Sequence, residues 1–229
     1  MGIQLEQVVP WGRSLAEYSR MFSLSESDLQ KSILDCAGGP ASFNVELTQH
    51  GGHVVSCDPI YQFTSAQIEQ RIQETYDLLK AKLLENLDAY IWETIASPEQ
   101  LGQIRMAAMQ QFLEDFPQGL AAGRYQVEEL PQLPYADGQF ELALCSHFLF
   151  SYSDHFSESF HLSAVRELCR VAQEVRIFPL LKVSGERSPF VQPIVSALEQ
   201  SGYTVTIETV DYEFQKEGNQ QMRCRRTDL

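Results

Sequence analysis

Two aspartates, a glycine pair and a histidine carry the first chemical signal in this 229-residue sequence. Gly38 and Gly39 stand in the small-residue run Ala37 to Ala41, between the apolar stretch SILDCA and the helical stretch FNVELTQHGG. Small side chains there let a ligand approach the backbone closely, and the helix that follows turns its N-terminus toward it. An ordinary tight strand-to-helix turn needs the same residues, so the loop alone does not choose a ligand. Asp58 lies nineteen residues beyond Gly39, at the end of the apolar run VVSCDPIY. A carboxylate at such a strand end can accept two hydrogen bonds from the vicinal hydroxyls of a ribose. An aspartate before a proline, here Pro59, is also a common turn residue. Glu129 falls at the end of a third apolar run, and Ser146 and His147 near the end of a fourth, FELALCSHF.

These residues need a frame, and the pattern of the chain supplies one. Ser14 opens a capping box before Leu15, Tyr18 and Phe22, which predicts a short N-terminal helix. Strands are expected at SILDCA, VVSCDPIY, RYQVEEL, FELALCSHF and VRIFPLL, and a final strand pair at YTVTIETVDYEF and QMRCRR joined through Gly218-Asn219. Helices alternate with them, at FNVELTQHGG, at about Phe160 to Gln173, and at SPFVQPIVSALEQSG. Between the second and third strands the pattern is purely helical. Ile68, Ile72, Tyr76, Leu79, Leu83, Leu87 and Ile91 form one stripe, and Leu101, Ile104, Ala108, Phe112 and Phe116 form another after the Ser97-Pro98 start signal. Two long helices exceed what one crossover requires, so residues 62–120 read as a helical insertion or lid. The expected fold is α/β, a doubly wound Rossmann-like sheet in one domain over 1–229, preceded by an N-terminal helical segment over 1–31. Such sheets bind ligands beyond the carboxyl ends of their strands, which brings the Gly38-Gly39 loop, Asp58, Glu129 and the end of FELALCSHF to one crevice.

Composition narrows the chemistry. A net charge of −14 gives a field that repels phosphate backbones and anionic membranes, so neither nucleic acid nor membrane is expected as a partner. No run of 18 apolar residues occurs and the start MGIQLEQVVPWGR has no secretory pattern, which suggests a cytoplasmic protein. Cys36, Cys57, Cys145, Cys169 and Cys224 are scattered through apolar runs with no CxxC pair or spaced histidine, so no metal is expected and they read as reduced core thiols.

The sequence resembles the class I S-adenosylmethionine-dependent methyltransferases, from about Ser32 to Arg226 with the insertion excepted. ILDCAGGPA is similar to that family's acidic residue followed by GxGxG, matching at Asp35 and Gly39, with Ala37 and Ala41 in place of the outer glycines. Asp58 matches the acid ending the second strand and Glu129 the acid near the adenine. The block LPYADGQFELAL resembles an LPF turn followed by FDLV, and ELCRVAQEV resembles the family's E-x-x-R-V helix, although a glycine-rich turn is missing before the fifth strand. The resemblance implies a seven-stranded, mostly parallel sheet with a C-terminal antiparallel hairpin.

It also implies roles. S-adenosylmethionine would be the cofactor, with Leu130 offering its N–H to the adenine, Asp35 and Gly39 near the methionine part, and Ser146 to Phe148 bordering the methyl donor. Ala37, Gly38 and Pro59 belong to the same cofactor-binding set, and Arg13 and Tyr18 are candidates to close over its carboxylate. In-line displacement at a sulfonium carbon needs little more than an aligned acceptor. Where the acceptor is a hydroxyl or protonated amine, His147 is the candidate base, against a plain packing role. His155 reads as a solvated loop residue and His161 as a helix-surface one. Tyr76, Tyr90, Trp92, Phe112 and Phe116 either line an acceptor pocket or bury the insertion. The expected activity is methyl transfer to a small-molecule acceptor, with no oligomeric state specified. Two alternatives stay open, a non-catalytic cofactor sensor and a nicotinamide-dependent oxidoreductase. Ala37 and Ser42 occupy two of the three glycine positions of the latter's fingerprint.

Overall fold

The computed structural model describes residues 9–227, so residues 1–8 of the expected N-terminal segment and 228–229 lie outside the described residues. Seven strands form one sheet in the order β3-β2-β1-β4-β5-β7-β6. They are β1 Ser32–Cys36, β2 His53–Cys57, β3 Tyr125–Gln126, β4 Phe140–Ser146, β5 Ala172–Phe178, β6 Tyr203–Thr209 and β7 Gln220–Arg226. The first five pair in parallel, while β7 runs antiparallel between β5 and β6. Helices α1 Leu15–Met21, α2 Phe43–Gln49, α3 Ser65–Leu84, α4 Pro98–Ala121, α5 Glu158–Val171 and α6 Val191–Glu199 complete the chain. This is the doubly wound, mostly parallel sheet with an antiparallel C-terminal hairpin that the pattern led us to expect.

Strand β4 shows why the central run is so apolar. Ala143 and Cys145 point into a core shared with α5 and α6, whereas Leu142 and Leu144 point into one shared with α1 and α2. Both faces are dry, so alternation disappears. The sequence order of strands reverses at β1, which has β2 on one side and β4 on the other, and the chain leaving the carboxyl ends of β1 and β4 lines a crevice there.

Several boundaries differ from the sequence reading. The stripe beginning at Ile68 is helical only to Leu84; Leu87–Ala89 is a 3-10 turn and Ile91 is extended, donating its N–H to Phe214 O at 2.8 Å. Only Tyr125–Gln126 of RYQVEEL pairs as a strand, against Ser56 and Cys57 at the end of β2, beyond which the chain turns into the 3-10 turn Pro59–Gln62. Strand β5 starts at Ala172, directly where α5 stops, since that end of the helix already lies over the sheet. The capping boxes at Ser14 and Thr64 form as expected, and Ser97 caps α4 with Pro98 in its first turn. Helix α4 packs on α2 and β3, as a crossover helix should, and α3 leans on α4. The insertion is therefore one crossover helix plus a second helix that projects over the carboxyl ends of the strands.

Candidate functional site

The loop after β1 is built around a buried acid. Asp35 is 1% exposed and accepts from Tyr18 Oη at 3.0 Å and from Ser56 Oγ at 2.8 Å. Burial pushes its carboxyl up to about 7, against the pull of those two hydroxyls. Gly38 covers it so closely that a β-carbon there would strike Asp35 Oδ2 and lie 3.1 Å from Tyr61 Oη. Ala37 takes φ of 58° and Gly39 φ of 54°, so the chain turns through two left-handed residues of which only one is a glycine.

Asp58 ties this loop to the next strand. One carboxylate oxygen accepts from Gly39 N at 3.0 Å and the other from Ile60 N at 2.8 Å, where it caps the 3-10 turn Pro59–Gln62. Burial, with Glu129 adding like charge, raises its carboxyl to about 6 in spite of both amides. Tyr61, in the same turn, donates to Gly39 O at 2.8 Å and sits against Phe112, Phe116 and Tyr125. Two hydrogen bonds, Gly39 N to Asp58 and Tyr61 Oη to Gly39 O, thus join the two strand-end loops.

Beyond them opens a cavity of about 1060 Å³. Its walls include Ala37, Gly38, Gly39, Asp58, Pro59, Glu129, Leu130, Ser146, His147, Arg13 and Tyr18, so eleven of the twelve expected site residues come to one place, and the twelfth, Asp35, lies just beneath it, bonded to Tyr18. Glu129 is exposed at the rim, Leu130 is buried, and the Leu130 N–H has no protein acceptor among the described residues. Arg13 precedes α1 and its cap, and gives Nη1 to Trp11 O at 3.0 Å while its buried Nε has no partner among the described residues. Tyr18 reaches the cavity, but its proton is committed to Asp35. Its part is to hold that acid, because the stacked ring of Phe43, 4.2 Å away, fixes its direction.

His147 follows β4 with φ of 52°, donating its N–H to Phe178 O at 2.6 Å. Its Nδ1 lies 2.9 Å from Ser146 Oγ. Burial, then the charges of Arg13 and Arg105, hold the imidazole well below the usual histidine range, so the ring is neutral near pH 7. His155 is exposed, as expected. His161 is not on the surface: it is fully buried, its two ring nitrogens 2.8 Å from Ser157 O and 2.8 Å from Leu149 O. The helix turns that residue inward, where only carbonyls are available. All five cysteines are buried and free.

Sequence reading missed several members of the site. Arg105, 1% exposed, also lines the cavity and ion-pairs with Glu17 at 2.5 Å, while Nη2 reaches Tyr212 Oη at 3.4 Å. Its signal was present, since Arg105 falls four residues after Leu101 on the stripe that buries α4. Ser56, Tyr61, Tyr152 and Tyr212 gave no such signal. Of the insertion aromatics, Tyr90 lines the cavity, whereas Phe112 and Phe116 lie in the core.

Strand order, antiparallel hairpin and strand-end crevice together define a Rossmann-like methyltransferase fold. The chain belongs to the family of the uncharacterized protein MJ0045 of Methanocaldococcus jannaschii, with which it is 32% identical over 225 residues, 98% of this chain and 99% of that one. No family model matches the sequence. Among solved structures it is similar to magnesium protoporphyrin IX methyltransferase (ChlM) from Synechocystis PCC 6803 with bound SAM, at 14% identity and a TM-score of 0.44, covering 88% of this chain and 73% of that chain. It is also similar to the PH0226 protein from Pyrococcus horikoshii OT3, at 13% identity and a TM-score of 0.45, covering 86% and 82% of the two chains.

Proposed function

We propose that this protein transfers the methyl group of S-adenosylmethionine to a small-molecule acceptor. The observation that carries the reading is the pairing of Asp58 with Gly39 N at the mouth of the strand-end cavity. Each Asp58 oxygen accepts one amide and keeps a lone pair for a ribose hydroxyl. Three further features fit the cofactor. The Gly38-Gly39 turn brings bare backbone to the cavity wall, the Leu130 N–H has no acceptor among the described residues and can serve an adenine nitrogen, and Arg13 Nε, without a partner among them, suits a carboxylate. Bound there, S-adenosylmethionine supplies an electrophilic methyl on a sulfonium.

The chain's own contribution is to exclude water and manage one proton. His147 is neutral and can accept a proton without first losing one. Arg13 and Arg105 disfavour the imidazolium that would result, so His147 suits acceptors whose proton is already acidic, or that carry none. Ser146 Oγ, 2.9 Å from Nδ1, fixes the ring.

Isothermal titration tests the reading directly. S-adenosylmethionine and its demethylated product should both bind, NAD and NADP should not, and Asp58→Asn should weaken the cofactor roughly 10- to 100-fold by turning one acceptor into a donor facing an amide. Absence of binding by either form at millimolar concentration would sink it.

A further inference from the structure

The cavity is larger than one cofactor needs, and its second half has a distinct chemistry. Single small-molecule sites span about 300–1,000 Å³, and this one reaches about 1060 Å³. Beyond the residues assigned to the cofactor, its walls include the apolar Leu79, Leu83, Leu101, Tyr90 and Phe214, with Tyr212 and Arg105 among them. The insertion and the loop before β7 join to make this chamber: Tyr90 stacks on Phe214 at 4.9 Å, and Lys216 N donates to Ala89 O at 3.0 Å.

Within it the cations outnumber their partners. Arg13 and Arg105 both line the cavity, and Glu17, whose carboxylate feels both charges, ion-pairs with Arg105. Arg105 spends Nη1 on Gly12 O and Glu17 and Nη2 on Tyr212, yet its Nε, like that of Arg13, is buried with no partner among the described residues. A buried guanidinium N–H left unmatched is costly, and a carboxylate is the group that satisfies it best. Two such edges call for two anionic groups. The proposed cofactor brings one carboxylate, assigned above to Arg13, and the second must come from the other ligand.

Resting on the proposed function, we propose that the methyl acceptor is an organic acid with an apolar body, its carboxylate held by Arg105 and its apolar part lying against Leu83, Leu101, Tyr90 and Phe214. A neutral acceptor of the same shape would leave Arg105 Nε unmatched and lose a factor of roughly ten to a hundred in affinity. Where a carboxylate oxygen is itself the nucleophile, its lone pair forms the new O–CH3 bond as the sulfonium S–CH3 bond breaks to leave a neutral thioether, and no proton has to be removed, which suits the neutral His147.

The test is a titration of protein saturated with the demethylated cofactor. The probes are phenylalkanoates from phenylacetate to 6-phenylhexanoate, each beside its primary amide. At least one acid should bind ten times more tightly than its amide. Arg105→Lys, which keeps the charge, should retain part of that preference, and Arg105→Met should abolish it with the demethylated cofactor kept saturating. Equal binding of acids and amides by the wild-type protein overturns the proposal whatever the variants do, and so does failure of every acid to bind. Should the cofactor itself not bind in the first titration, the methyl-transfer reading falls, and this one with it.

Discussion

At the scale of single residues, the site is held by acids that burial makes reluctant to ionise. Asp35 and Asp58 stand at about 7 and about 6, above the value near 3.9 of an unfolded aspartate. The native state therefore binds their protons more tightly than the unfolded chain does. Their stabilising effect is complete below about pH 4 and is lost as pH rises through 6 and 7. Urea midpoints should accordingly fall between pH 5 and pH 7.5, with a slope of up to about 1.4 kcal/mol per unit for each group while it titrates. Asp35→Asn should flatten that slope; an unchanged slope in the variant would contradict the assignment. Ala37 makes a second case. An L-residue at φ of 58° carries about 1 kcal/mol of strain. Ala37→Gly should raise the urea midpoint by about that much less the entropy glycine adds to the unfolded chain, with the denaturant slope unchanged. A loss of stability would show that the methyl of Ala37 packs more than it strains.

Among elements, the insertion matters most. Its far end is not held by α4 alone. Residues 89–91 hydrogen-bond to the loop before β7 through Ile91 N to Phe214 O and Lys216 N to Ala89 O, and Tyr90, Trp92 and Phe214 pack their rings together. Two regions far apart in sequence thus form one roof. Phe214→Ala should cost about 1–2 kcal/mol and release that roof. Hydrogen exchange at Ile91 and Lys216 should then quicken by roughly tenfold or more, with β4 amides unaffected. Equal quickening throughout the sheet would mean that Phe214 supports the whole core rather than the roof.

For the whole molecule, the two ends of the chain meet on β5. Arg176 donates to Phe22 O at 2.7 Å and pairs with Asp28 at 3.1 Å, while Glu174 accepts from Arg176 at 2.6 Å, Arg223 at 2.8 Å and Arg225 at 2.6 Å. Glu174 is 5% exposed and Arg176 3%, so solvent cannot take over for a missing partner. Glu174→Gln should destabilise the protein by roughly 3 kcal/mol or more in a chemical melt, and a change below about 0.5 kcal/mol, the scale of ordinary surface substitutions, would show that the remaining arginine contacts suffice. The overall charge of −14 is acidic, yet the part of the cavity wall formed by Arg13 and Arg105 is cationic. Local charge, not the global sum, sets what that part can bind.

Much of this was legible in the sequence because it depends on neighbours along the chain. Alternating strand and helix patterns, the capping boxes at Ser14 and Thr64, and the order of Asp35, Gly39 and Asp58 follow from local backbone preferences, and the sheet then brings those strand ends together. The end of α3 at Leu84, the inward turn of His161 and the partnership of Arg105 with Glu17 were decided only by the tertiary structure. Each depends on a partner far away in the chain: the Phe214 carbonyl that draws Ile91 out of the helix, the Leu149 carbonyl beside His161, and the N-terminal helix that brings Glu17 to Arg105. Periodicity records that a face is buried. It does not record against what, and the chemistry of this site depends on that second fact.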